Sequence, residues 1–197
     1  MFTDPVAQWS FTVVFSVLTA YSGFRVLADF ARPLQAIGHA LHAVMAADMA
    51  AMAWPWWGAI PGTAQLVFFV FAALWYVIVL VLQLSRRVTK DMLGGHSAWH
   101  QIVHVVMMLA MVWMVAVMGD ADPSGSGHNH SALSAGGAVS GVLVTAGLIV
   151  AGVILVVESL DWVRAGKRTW AGHGGEGAAG AVMCLGMAAM CLPMLVG

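Results

Sequence analysis

Apolar positions along the chain gather into six long blocks, at about 6–28, 35–54, 63–84, 97–118, 135–158 and 175–196, with polar, Gly or Pro positions between them. Each block is close to the roughly 20 residues a helix needs to cross the hydrocarbon of a bilayer. Pro33, Pro55, Pro61, Pro123 and Pro193 fall at or near block ends, where a missing backbone donor costs least. The pattern predicts an all-α polytopic membrane protein with six transmembrane helices. They pair as three helical hairpins in a single domain over residues 1–197, with 119–134 a flexible extracytoplasmic loop.

Within the even-numbered blocks the apolar pattern has a finer period. The spacing M-x3-M-x2-M occurs three times, at Met45, Met49 and Met52, at Met107, Met111 and Met114, and at Met183, Met187 and Met190. A further x3 step adds Met118 and Met194, so that eleven of the fourteen methionines belong to the repeat. At about 100° per residue, His42 with Met45, Met49 and Met52 covers roughly 80° of one helix. In the fourth block His96, His100 and His104 share a face with the methionines, and Glu176 falls on the stripe of the sixth. Odd blocks such as "TAQLVFFVFAALWYVIVLVLQL" carry no such stripe. The repeat therefore predicts three similar hairpins about a pseudo-threefold axis, even helices inside and odd helices against lipid. Small residues in "GGAVSGVLVTAGLIVAGV", with Gly180 and Gly186, would let helices approach closely.

Charge adds orientation. All eight lysines and arginines lie in or beside connections of one parity: Arg25 and Arg32, then Arg86, Arg87 and Lys90, then Arg164, Lys167 and Arg168. The positive-inside rule makes those connections cytoplasmic and puts both termini outside. Trp54, Trp56 and Trp57 then suit an outer interfacial belt. The N-terminus lacks the basic start and small-residue cleavage site of a secretory signal, so the first block is read as a retained span. A composition 61% hydrophobic and 9% charged, with a net charge of −1, excludes a soluble domain and a nucleic-acid surface. Cys184 and Cys191 lie seven positions apart on one helix, about 10 Å from each other, too far to bridge.

The stripes bear on chemistry. Thioethers are soft, uncharged ligands that favour Cu(I), and imidazole accepts Cu(I) or Cu(II). Neutral ligands avoid the cost of charge at the bilayer centre, and a series of weak sites lets an ion leave as well as enter. The expected metal-binding residues are His42, Met45, Met49, Met52, His100, His104, Met107, Met111, Met114, Met183, Met187 and Met190. Histidines sit at the cytoplasmic end, methionines run outward, and His173 stands just before the sixth block. Outside, Asp4, Asp120 and Asp122 face no basic residue, and His128 and His130 form an H-x-H pair that could capture a cation. Asp48 is costly within a span and is expected to be protonated or paired with a histidine of the fourth helix.

The sequence also permits other readings. Methionine packs adaptably, so the stripes equally suit a structural or assembly subunit, as a homo-oligomer or in a larger membrane complex. Histidines such as His42 and His104 on facing helices permit b-type haem and electron transfer. No nucleotide-binding or nucleophile motif is present, and no enzymatic activity is expected.

The run "GHALHAVMAADMAAMAWPW" together with "HSAWHQIVHVVMMLAMVWMVAVM" resembles an actinobacterial family of integral membrane proteins catalogued as a domain of unknown function. The resemblance extends over nearly the whole chain, with "MAWPW" its most specific piece, and implies a multi-pass plasma-membrane protein without assigning an activity. The pairs Met45 and Met49, Met107 and Met111, and Met183 and Met187 look like the paired methionines lining trimeric eukaryotic copper transporters.

Overall fold

The computed structural model describes residues 4–89, 91–93, 97–119, 135–164 and 173–196. Six long helices make up the fold: α1 (Pro5–Ala28), α2 (Pro33–Met52), α3 (Gly62–Leu84), α4 (Ala98–Gly119), α5 (Ala135–Arg164) and α6 (His173–Val196). Their limits follow local chemistry. Asp4 caps α1 by accepting from the Val6 amide at 3.0 Å, and proline occupies the first turn of both α1 and α2. A short 3-10 turn, Pro55–Ala59, leads from α2 to Pro61 and α3. Beyond α3, Arg86 takes φ 56°, the left-handed conformation that ends many helices, and Arg87 and Val88 both donate back to the Leu82 carbonyl. Pro193 lies inside α6, near its end.

Among the described residues five helices are long and apolar enough to cross a membrane: α1, α3, α4, α5 and α6. The chain is a multi-pass helical membrane protein. The sixth helix, α2, is 20 residues long, but Gln35, His39, His42 and Asp48 lower its apolarity.

Each helix packs chiefly on its chain neighbour, giving the hairpins α1–α2, α3–α4 and α5–α6. The second and third hairpins also share a face through α4 and α5. Two close approaches depend on glycine. A side chain at Gly141 of α5 would stand 2.3 Å from the Trp113 ring of α4, and one at Gly186 of α6 would stand 2.6 Å from the Phe15 ring of α1. The second contact brings the first hairpin against the third.

Burial separates the helices by parity. The core of α2 is Met45, Ala46, Met49 and Met52, and α4 and α6 turn their methionines into the same cluster. In contrast α1, α3 and α5 present Val17, Phe24, Phe71, Leu74, Leu143 and Val150, among others, to the outside. A rim of exposed apolar side chains around a methionine-rich interior is what a bundle in hydrocarbon requires.

Candidate functional site

The nine methionines of the three repeats are all inside the protein, none more than 5% exposed, and all belong to one buried cluster. Cys184 and Cys191 lie in the same cluster as free thiols. So does Met108, which is equally buried but off the repeat, so burial alone does not mark a ligand.

Toward the end of the bundle that carries Arg25, Arg32, Arg86 and Arg87, the cluster gives way to a cavity of about 90 Å³. Met107 and Met183 are the members of the repeats that reach it, and His42, His100 and His104 share its wall. The remaining seven methionines lie further along the same helices, in the closed core. Such a volume in a wall of mixed polarity is large enough for water or a small ion.

The two inner imidazoles are tightly placed. His42 and His104 have ring centroids 4.6 Å apart at 65°, and Tyr76 of α3 stacks on His104 at 4.8 Å and 19°. The carbonyl of Gly38 lies 3.0 Å from His42 Nδ1 and accepts from the Tyr76 hydroxyl at 3.2 Å. A carbonyl can only accept, so His42 Nδ1 is the donor of this bond. Metal-binding histidines are commonly oriented by this kind of backbone bond from the other ring nitrogen. His100 stands further out, with Ser97 Oγ 3.2 Å from its Nδ1 and Glu158 Oε2 3.4 Å from its Nε2.

At the same end Arg25 of α1 pairs with Asp29, 2.9 Å away, and with Glu176 of α6. His39 Nε2 lies 3.4 Å from Asp29 Oδ2 and 3.6 Å from Glu176 Oε1. His39 and Glu176 also line the cavity, as does Gln101, whose side-chain oxygen has no hydrogen-bond partner among the described residues.

Residues 34–192 match a protein family described as a domain of unknown function, DUF5134. The chain belongs to that family. The match takes in α2 to α6 almost entirely and begins beyond α1. Uncharacterized proteins of Mycobacterium tuberculosis and Mycobacterium bovis are each 34% identical over 118 residues, which is 60% of this chain and 52% of theirs. The chain thus spans about half the length of the curated relatives it matches. No solved structure matches it.

Other expectations divide. Asp48 does have a partner, but it is the indole of Trp57, donating to Oδ1 at 3.0 Å, and not a histidine of α4. The physical reason is position: His100 and His104 stand in the first two turns of α4, at the cavity end, whereas Asp48 lies near the opposite end of α2. Trp57 is accordingly turned inward at 6% exposure, while Trp56 remains outside as a belt residue should. His96, the 120–134 segment with His128 and His130, and the side chains of Met118, Met194 and His173 lie outside the described residues. Tyr76, His39 and the grouping of Arg25 with Asp29 and Glu176 do not emerge from the residue pattern, which treats Cys184 and Cys191 only as an unbridged pair. Cys184 and Cys191 directly follow Met183 and Met190, and His39 precedes His42 by one helical turn, so spacing alone could have found those three.

Proposed function

We propose that the protein holds a soft metal ion, Cu(I), in the membrane, where the methionine core meets His42 and His104. The observation that carries this reading is the shared cavity wall: methionines of two stripes, Met107 and Met183, line one partly open cavity together with His42 and His104. Sulfur and imidazole together are a donor set that Cu(I) accepts without bringing charge into the bilayer. The seven deeper methionines extend the path along α2, α4 and α6, so the ion is conducted as well as bound. On this reading α2 is a sixth span, its polar side chains turned to the protein rather than to lipid. The basic connections are cytoplasmic by the positive-inside rule, which sets the cavity at the cytoplasmic end of a plasma-membrane protein and the termini outside.

Binding is tested by loading the purified full-length chain with Cu(I) under reducing conditions and measuring copper per protein. The comparison is with a variant carrying Met45→Leu, Met107→Leu and Met183→Leu, swaps that nearly conserve volume. Stoichiometric copper in the parent and a several-fold loss in a folded variant support the proposal; negligible copper in both overturns it and leaves the methionines as packing. The haem alternative has weaker geometric support, since His42 and His104 touch and a porphyrin between them would require the rings to part. A Soret band in protein purified from haem-replete cells would favour it.

A further inference from the structure

We infer that Asp29, His39 and Glu176 form a second metal site, for a divalent ion of the Zn(II) or Co(II) class, and that the Arg25 side chain is the tethered cation this ion must displace. The inference rests on its own residues and holds whether or not the thioethers take copper. Its first support is spacing. His39 Nε2 stands 3.4 Å from Asp29 Oδ2 and 3.6 Å from Glu176 Oε1. Both contacts are within ion-pair range, so the imidazole faces the two carboxylates directly. The same spacing suits co-ligands, because two N or O donors at about 2.0–2.1 Å from a tetrahedral ion stand roughly 3.3–3.4 Å apart. One donor atom from each of the three residues lies within 4.8 Å of the other two.

The second support is what now engages those oxygens. Asp29 Oδ2 and Glu176 Oε1, the two carboxylate oxygens nearest His39, are also the two that one Arg25 nitrogen, Nη2, contacts. The guanidinium therefore competes directly for the ligand oxygens, and an arriving dication must move it aside. Two carboxylates and one imidazole are a borderline-hard set, unlike the sulfur of the core, and suit Zn(II) or Co(II) over Cu(I).

The third support is independent of the charged group. Gln101 of α4 is only 4% exposed, lines the cavity that His39 and Glu176 also wall, and keeps its side-chain oxygen without a hydrogen-bond partner among the described residues. Asp29 is not part of that wall, but a buried acceptor facing the cavity beside His39 and Glu176 calls for a donor, and a water on the open fourth position of an ion held there would be one. The ion would tie the end of α1 and the second turn of α2 to the first turn of α6, linking the first hairpin to the third.

Co(II) is the probe, because tetrahedral Co(II) has intense visible bands and little preference for thioethers. Full-length protein without a polyhistidine tag is titrated in detergent, with His128 and His130 changed to alanine in every sample to remove their imidazoles. The parent, His39→Ala, Arg25→Gln and the double variant are compared. We expect one Co(II) per chain, bound about tenfold or more tightly in Arg25→Gln once the competing charge is gone. His39→Ala abolishes the bands in both backgrounds. No Co(II) binding in either the parent or Arg25→Gln, equal affinity in the two, or a gain that survives His39→Ala overturns the site. Should Arg25→Gln not fold, Arg25→Lys carries the test, since an ammonium lacks the fork that holds two carboxylates. A smaller gain that depends on His39 then supports the site and no gain overturns it.

Discussion

The interior of this bundle has two ends built on opposite principles. One is a closed core rich in thioethers, thiols and alkyl groups, drawn mainly from α2, α4 and α6, in which contact surface is the main interaction and hydrogen bonds such as that of Trp57 to Asp48 are few. The other, around the cavity, is a set of polar side chains held by specific partners: Arg25 by two carboxylates, His42 and Tyr76 by one carbonyl, His104 by ring contacts. The same helices contribute to both ends, so the difference lies in side-chain chemistry and not in architecture. The difference leads to the expectation that the methionine end accepts a volume-conserving swap, whereas the polar end transmits the loss of one partner to those left buried beside it.

Three substitutions test that contrast in stability, each followed by thermal or denaturant unfolding in detergent. The largest effect is expected from Glu176→Leu, which takes one of two carboxylates from a poorly exposed guanidinium; breaking such a pair costs about 3 kcal/mol. A loss no larger than that of an ordinary core swap would remove the distinction between the ends. Next is Trp57→Phe, which keeps an aromatic side chain, though a smaller one, and deletes the only donor found for the Asp48 carboxylate among the described residues, at an expected cost of about 2 kcal/mol. Asp48→Asn in the same background should recover part of it, because the amide is neutral. The smallest is Met49→Leu, fully inside the sulfur end, expected below about 1.5 kcal/mol because volume is nearly conserved. If Met49→Leu instead rivals Glu176→Leu, the core is more finely fitted than its composition implies.

Legibility in the sequence follows the same divide. The helices were readable because lipid imposes long apolar runs, and prolines mark several of their ends; predicted 63–84 is observed as Gly62–Leu84. The fifth helix extends beyond its apolar block: α5 continues past 158 to Arg164 through Asp161, because a helix can carry charged residues beyond the hydrocarbon that limits the apolar run. The buried methionine faces were readable because burial follows helical period. Arg25 with Glu176 was not, since 151 residues separate them and no local rule couples positions so distant. Tyr76 was equally hidden: a lone tyrosine in an apolar run acquires meaning only when the fold sets it against His104 and the carbonyl of Gly38. The tie between Asp48 and Trp57 is nearer to local, nine positions apart, and depends on the turn after α2 folding back on that helix.

The Phe15 ring seated in the notch at Gly186 acts as a key in a slot. Sliding α1 along α6 would carry the ring off the glycine toward the side chains one turn away on the same face, Met183 or Met190, so the contact favours one axial register of these two helices. The first hairpin is thereby indexed against the third by one ring in one gap.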